Sequence, residues 1–319
     1  MKYRKLGETG LKVSEIGFGT WGLGGDAYGL VDDNVSKKAL KLAFDLGVTF
    51  YDTSDLYGNG HSEEIIGEAL KDVRDEIIIA TKVGALPHSG FNMPQDFSPK
   101  HIVEGLEASL RRLQTDYIDL YQLHNPSLEM LSQNDDIINT LELLHEEGKI
   151  RAFGISVRSP DDGVPSIEKF DFKSIQVNFN LSDQRAIQNG LFDLSKKKNV
   201  GIIARTPLCY GYLTGKIKAD KKFEDLDHRK KRPIKQLRIW AKTPSLFSVL
   251  NNKNRTLAQL ALKFCLSYKN VSTVIPGMMN CKEVRENIKA SELKPLNKKE
   301  LSTIKSIYER NVFYDKSSK

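Results

Sequence analysis

Residues 17–34 read Gly17-Phe18-Gly19-Thr20-Trp21-Gly22-Leu23-Gly24-Gly25-Asp26-Ala27-Tyr28-Gly29-Leu30-Val31-Asp32-Asp33-Asn34. The fold turns on what these glycines do. The first six residues match GxGxxG, and Asp52 ends a later apolar run, where the ribose-binding acid of an open dinucleotide fold could stand. That fold needs its glycines to open a helix whose N-terminus meets a diphosphate. Here they run into further glycines, and no helical pattern begins before about Asn34. The stretch therefore reads as a glycine-rich loop between a strand and a helix, not as a Rossmann turn.

Outward from it, short apolar runs alternate with amphipathic stretches along the whole chain. Strands are expected at Glu15–Thr20, Val48–Asp52, Ile77–Lys82, Tyr117–His124, Ile150–Ser156, Ser174–Asn178, Val200–Thr206 and Val271–Pro276. Apolar residues three and four apart predict helices over Asn34–Leu46, Ser62–Lys71, Ser98–Leu113, Asp136–Glu146, Gln184–Lys197, Thr256–Ser267 and Lys282–Lys289. Ser98-Pro99 supplies an N-cap and a first helical residue. The helix after the fifth strand is weakly written, near Val164–Phe170. Eight βα units with strands too apolar to have a wet face predict a closed (β/α)₈ barrel of TIM type. Met1–Val13 reads as a hairpin before the first barrel strand, and Asn297–Arg310 as an extra C-terminal helix. No linker divides residues 1–319, which read as a single barrel domain. Lys216–Arg255 holds no barrel strand, and loops of that length are usually lids or carry small helices of their own.

Bulk properties exclude several classes. The chain carries 48 basic and 41 acidic residues, a mild net charge of +7. Its densest basic run, Arg229-Lys230-Lys231-Arg232, has no nucleic-acid-binding motif around it and reads as a solvated loop. Three cysteines, Cys209, Cys265 and Cys281, form neither a disulfide framework nor a CxxC pair. They suit a reducing cytosol. With no leader-like N-terminus and no long apolar span, the expectation is a cytoplasmic protein without nucleic-acid or membrane partners. His61, His88, His101, His145 and His228 lack metal spacing and read as ordinary surface or helix residues. No metal site is expected.

The chemistry gathers at the C-terminal ends of the strands, where barrel active sites sit. Strand two ends in Asp52 with Tyr57 shortly after, strand three in Lys82, strand four in His124. Carbonyl reduction needs a hydride donor and a proton donor. A free phenol, with a pKa of about 10, is too weak an acid, and a neighbouring cation lowers it. Lys82 can be that cation and Asp52 its partner, since a lysine near a barrel core must be paired. His124 can orient the substrate oxygen by a hydrogen bond. Singly, each has a structural explanation: a loop cap, a surface aromatic, a buried salt bridge. Together at adjacent strand ends they point to catalysis.

These residues lie in recognisable words. Gly47-Val48-Thr49-Phe50-Tyr51-Asp52-Thr53-Ser54-Asp55-Leu56-Tyr57-Gly58, Ile79-Ala80-Thr81-Lys82 and Asp119-Leu120-Tyr121-Gln122-Leu123-His124 resemble the signatures of the aldo-keto reductase family, in its bacterial-type, short-loop form. The resemblance implies a catalytic tetrad of Asp52, Tyr57, Lys82 and His124. It also implies NADPH or NADH bound without a Rossmann fold, and a small carbonyl substrate. It implies cofactor contacts along the rim: Gly19, Thr20, Trp21 and Asp52; Ser156 and Gln176 on the carboxamide; Arg205; Pro207, Leu208, Gly211, Leu213, Gly215 and Lys216 over the diphosphate; Gly277, Met279, Glu283, Glu286 and Asn287 at the adenosine end.

Departures from the family pattern matter. Val157 stands where asparagine is usual, and Arg205 where an aromatic usually stacks on the nicotinamide. Met279 and Glu283 stand where cations or Gln often take a 2′-phosphate. NADPH is the family's commoner cofactor, but these two residues predict weak discrimination, with NADH accepted or preferred. Lys282 and Arg285 are close in sequence and could restore a phosphate site. The tetrad favours an enzyme. The alternative is a cofactor-binding, redox-sensing or regulatory subunit with little turnover. Gly84–Ser98 and Lys216–Arg255, with Phe91, Met93, Phe97 and Trp240, are expected to shape the substrate pocket.

Overall fold

The computed structural model describes residues 1–87 and 93–315; His88 and Phe91 lie outside them. The chain opens with an antiparallel hairpin, β1 (Tyr3–Lys5) against β2 (Lys12–Ser14). Eight parallel strands follow: β3 (Phe18–Gly19), β4 (Phe50–Asp52), β5 (Ile78–Val83), β6 (Leu120–His124), β7 (Phe153–Ser156), β8 (Ser174–Asn178), β9 (Gly201–Arg205) and β10 (Val271–Val274). They neighbour one another in chain order. The sheet closes where Gly17 N donates to Val274 O (2.8 Å), Gly19 N to Pro276 O (3.0 Å) and Val274 N to Glu15 O (3.0 Å). The result is the expected (β/α)₈ barrel.

The barrel interior explains the hairpin. Leu6, Leu11 and Val13 pack against Phe50, Ala80, Leu120, Ala152 and Ile203 in one buried cluster. The hairpin thus plugs the N-terminal end, sparing the inward-facing strand residues contact with water. Arg4 staples it in place: its guanidinium donates to Glu15 Oε2 (2.8 Å) and to the carbonyls of Leu266, Tyr268 and Val271. The larger cluster lies outside the sheet, between strands and helices, and includes Leu40, Ile66, Leu106, Leu141, Leu191 and Leu262.

Helix boundaries follow local capping chemistry. Asp32 caps Asp33–Asp45, Ser98 caps Pro99–Leu113, and reciprocal capping boxes open Leu257–Leu266 at Thr256 and Lys298–Arg310 at Asn297. The weakly written helix is real and begins earlier, at Pro160–Glu168, because Ser159, Pro160 and Asp162 form a capping box with proline in the first turn. The single helix expected over Gln184–Lys197 is two, Arg185–Gln188 and Leu191–Lys198. Gly190 breaks it at φ 82°, a conformation glycine adopts without a Cβ clash. A short helix, Leu128–Gln133, was not anticipated, and the strandless segment after Lys216 carries the helix Ile234–Leu246. The GxGxxG stretch forms a single 3₁₀ turn, Trp21–Gly24, and the next α-helix starts at Asp33. The Rossmann alternative fails on that point. No helix among the described residues is long and apolar enough to cross a membrane.

Strand register now fixes the rim. Gly19 is level with Asp52, Lys82 with Gln122, His124 with Ser156, Ser156 with Gln176, and Asn178 with Arg205. Side chains distant in sequence are therefore delivered to one end of the barrel by the pairing alone.

Candidate active site

Lys82 lies at the centre of that rim and is fully buried. An ammonium has three protons and no lone pair. All three have acceptors: Asp52 Oδ1 at 2.7 Å, the Thr53 carbonyl at 2.6 Å and Tyr57 Oη at 3.3 Å. Asp52 Oδ2 in turn accepts from Gln176 Nε2 (2.6 Å) and Gln122 Nε2 (3.4 Å), and Ser156 Oγ donates to Gln176 Oε1 (3.4 Å). A continuous chain of hydrogen bonds thus runs from β7 and β8 through Asp52 and Lys82 to the phenol of Tyr57.

The electrostatics follow from burial and pairing. Burial alone pulls the Lys82 ammonium toward neutrality, but Asp52 and Tyr57 outweigh it and hold its pKa above 10.5. For Tyr57 the balance runs the other way. Burial raises its pKa, Lys82 lowers it, and burial wins. The sequence argument, which had Lys82 lowering the phenol, identified a real effect but not the net direction. Because Lys82 Nζ donates to Tyr57 Oη, the phenol's own proton is left for another acceptor. His124 stands edge-on to the Tyr57 ring, with centroids 6.0 Å apart, and its Nδ1 lies 3.1 Å from Ser54 Oγ.

The loop carrying Tyr57 is clamped to the glycine-rich stretch. A Cβ on Gly24 would come within 2.5 Å of Gly58 N and 2.7 Å of Tyr57 C. Gly24 therefore has a steric role next to the phenol rather than a phosphate-binding one. Thr20 lies behind this junction, fully buried, its Oγ1 donating to the Asp52 carbonyl (2.9 Å).

A cavity of 890 Å³ opens at the rim. Asp52, Tyr57 and His124 face it, as do Gly19, Trp21, Gln176 and Arg205. It continues past Pro207, Leu208, Gly211 and Lys216 to Gly277, Met279, Glu283, Glu286 and Asn287. Lys82, Thr20, Ser156, Leu213 and Gly215 stand outside its wall. Lys82 and Ser156 are hydrogen-bonded to the wall residues Tyr57 and Gln176, Leu213 is core, and Gly215 ends a 3₁₀ turn at φ 74°. Cys209, Tyr210 and Gly211 follow one another at φ 47°, 54° and 89°. Such a run of left-handed residues is uncommon and clusters at functional sites.

Several features escaped the sequence. The run Arg229–Arg232 is only partly solvated, with Lys230 and Lys231 exposed. Arg229, Lys231 and Arg232 line the cavity, Arg229 is paired with Asp227 at 2.6 Å, and Arg232 lies over the Tyr210 ring. His228 is not an ordinary surface residue either. It packs on Trp21 (4.6 Å between centroids), Tyr28 and Tyr210, and burial, with repulsion from Arg232, pushes its pKa down to about 3. Tyr28 pairs with Asp227, and His228 N donates to the Ala27 carbonyl (2.9 Å), so this segment is seated on the glycine-rich loop. The only sequence signal was the triplet Asp227-His228-Arg229 inside a long loop. Met93 reaches the cavity, whereas Phe97 packs over Gly84 and Trp240 is buried beside Tyr210 and Tyr212.

The departures also have places. Arg205 Nη2 donates to the Val157 carbonyl (2.9 Å), and its buried Nε has no hydrogen-bond partner among the described residues. Glu283 Oε2 accepts from Met279 N (2.9 Å), so the carboxylate is folded onto its own loop. Lys282 and Arg285 are exposed and outside the cavity wall, and Lys216 is paired with Glu286 at 3.0 Å.

The sequence profile described as the Aldo/keto reductase family matches residues 15–309. The chain is 32% identical to an uncharacterized oxidoreductase, YqkF, of Bacillus subtilis, over 98% of both chains. It is 31% identical to a probable voltage-gated potassium channel subunit beta of Arabidopsis thaliana, over 93% of both. Among solved structures it is similar to the holo form of aldo-keto reductase AKR11C1 from Bacillus halodurans, with a TM-score of 0.80, 32% identity and full coverage of both chains.

The pairing at Lys82 yields a stability prediction. Its raised pKa means the contribution is complete below 10.5 and is lost only as pH rises through the folded value. At pH 7, Lys82→Met leaves Asp52 as a buried carboxylate without its cation, and should cost about 3–5 kcal/mol. Urea unfolding at pH 7 measures it. A loss under about 1 kcal/mol would mean the pair is already solvated.

Proposed function

Because the chain belongs to the aldo/keto reductase family and is an NAD(P)H-dependent oxidoreductase, we propose that residues 1–319 act as one unit that reduces an aldehyde or ketone at the barrel rim, with Tyr57 as proton donor. The observation that carries this reading is the hydrogen bond from Lys82 Nζ into Tyr57 Oη. It occupies a lone pair of the phenol and leaves the phenolic proton for a substrate oxygen in the cavity. As that proton departs, Lys82 stabilises the phenolate, and Asp52 keeps Lys82 charged. His124 holds the carbonyl oxygen by a second hydrogen bond. The reduced nicotinamide, when bound, supplies the hydride.

The residues present suit that cofactor. The unpartnered Nε of Arg205 and the remaining lone pair of Gln176 Oε1, whose other accepts from Ser156 Oγ, offer contacts at the nicotinamide end. The left-handed backbone from Cys209 to Gly211, with Lys216 beside it, suits a diphosphate. Asn287 and Glu286, at the far end of the cavity, would meet the adenosine. At the 2′-position Met279 brings no charge and Glu283 brings the wrong one for phosphate, while Lys282 and Arg285 stay outside. We therefore assign weak discrimination between NADH and NADPH. The free cysteines, two of them buried, support a reducing cytoplasmic setting.

A regulatory subunit with little turnover draws weight from the similarity to a channel subunit. A panel of aldehydes separates the two readings: sustained oxidation of NAD(P)H marks the enzyme, less than one turnover the regulator.

Tyr57→Phe should lower kcat by about 10³ or more, at the strong end of what a positioned proton donor contributes, with cofactor affinity little changed. Near-normal reduction of a simple aldehyde by the variant would remove Tyr57 from the mechanism. For cofactor choice, kcat/KM with NADH and NADPH at one aldehyde concentration should agree within about tenfold, or 1.4 kcal/mol. A hundredfold preference for NADPH, about 2.7 kcal/mol, would mean that another residue supplies a phosphate site.

A further inference from the structure

His124 must present a hydrogen to a carbonyl oxygen, so the tautomer of its ring matters. Its Nδ1 lies 3.1 Å from Ser54 Oγ, and the same hydroxyl lies 3.0 Å from Asp55 Oδ1. Ser54 Oγ also accepts from Leu56 N at 3.2 Å. A hydroxyl has one proton and two lone pairs. With one lone pair taken by Leu56, one proton and one lone pair remain for Asp55 and His124.

Only two arrangements satisfy this count when the imidazole is neutral. If Asp55 is ionised, Ser54 donates to it and accepts from Nδ1–H, which leaves Nε2 without a hydrogen. If Asp55 is protonated, it donates to Ser54, Ser54 donates to Nδ1, and Nε2 carries the hydrogen. A carbonyl oxygen accepts hydrogen bonds and offers none, so only the second arrangement serves reduction.

We propose that Asp55 is a positioning residue: acting through Ser54, its proton sets which nitrogen of His124 carries hydrogen toward the substrate. Passing from the first state to the second takes one proton from solvent onto Asp55. The hydroxyl proton turns from Asp55 to Nδ1, and the imidazole proton moves from Nδ1 to Nε2 through water in the cavity. The inference rests on the reading that His124 donates to the carbonyl.

The surroundings place the switch in the neutral range. Burial pushes the Asp55 carboxyl up from 3.8 to about 7, Glu63 on the helix His61–Leu70 adds to the rise, and Ser54 and Arg112 pull it back. Arg112, on the helix Pro99–Leu113, is itself tied to Glu63 at 2.7 Å. From β6 the buried Tyr121 hydroxyl feels the Asp55 charge, and the Asp55 amide donates to the Lys82 carbonyl at 3.4 Å. On the other side of His124 stand Tyr57 and, behind it, Lys82.

The test is made on the full chain, with and without NADP⁺, with ¹⁵N-labelled histidine. The His124 signals are assigned by their loss in His124→Asn. In the wild type, His124 should carry its proton on Nε2 at pH 6 and on Nδ1 at pH 8. Asp55→Asn, whose amide donates to Ser54 at every pH, should keep Nε2–H throughout. In parallel, kcat/KM for aldehyde reduction should fall about tenfold between pH 6 and 8 in the wild type, following the protonated fraction of a group of pKa 7. In Asp55→Asn that limb should be absent. A single His124 tautomer across this range in the wild type, or an imidazolium at pH 6, would overturn the proposal, and so would a pH limb that survives in Asp55→Asn. The wild-type spectra decide the matter even if the variant does not fold. They need no substrate, so they stand apart from any failure of the reductase reading.

Discussion

The site depends on a single constraint: an ammonium buried at the end of a parallel barrel must find an acceptor for each of its protons. Lys82 finds them in Asp52, the Thr53 carbonyl and Tyr57. The first two anchor the head group to the end of β4, and the third reaches the loop beyond it. Without that loop the lysine would be under-satisfied, and the lysine adds a side-chain tie to a loop already clamped against Gly24. The cost of burying the charge is thus offset by the bonds that aim the phenol, and the remaining carboxylate oxygen is held by Gln176 and Gln122.

Around this centre the fold supplies two separate supports. The N-terminal hairpin fills the far end of the barrel, and Arg4 ties it to Glu15 and to the chain entering β10. Stability is thus provided at the end away from the chemistry, as barrels generally arrange it. At the near end, the glycine-rich loop and the segment after Lys216 rest on each other through Trp21, Tyr28, Tyr210 and His228. Trp21 also touches the Tyr57 ring, at 6.3 Å between centroids. The aromatic wall therefore joins the segment that lines the cavity to the residue proposed to donate the proton.

Much of this was legible in the sequence because it is written locally. Alternating apolar runs gave the eight strands, and Ser98-Pro99 marked a helix start to the residue. The strand-end positions of Asp52, Lys82 and His124 followed from period and polarity. What was missed depends on tertiary contact. Nothing near Arg229–Arg232 signals that the run folds onto Tyr28 and Tyr210, so its charge suggested solvent. The net direction of the Tyr57 pKa depends on how deeply the phenol is buried, which no local pattern encodes. The break at Asn189-Gly190 was legible but was overridden by the apolar spacing on either side.

The central claim is that the phenol held by Lys82 faces the carbonyl oxygen of the substrate. A crystal structure with oxidised nicotinamide cofactor and an unreactive carbonyl ligand, such as a carboxylic amide, tests it most directly. The ligand oxygen should lie within about 3.2 Å of both Tyr57 Oη and His124 Nε2, with the nicotinamide ring on the Gln176 and Arg205 side of the cavity. A carbonyl bound elsewhere in the cavity, with Tyr57 Oη bonded only to Lys82, would contradict it.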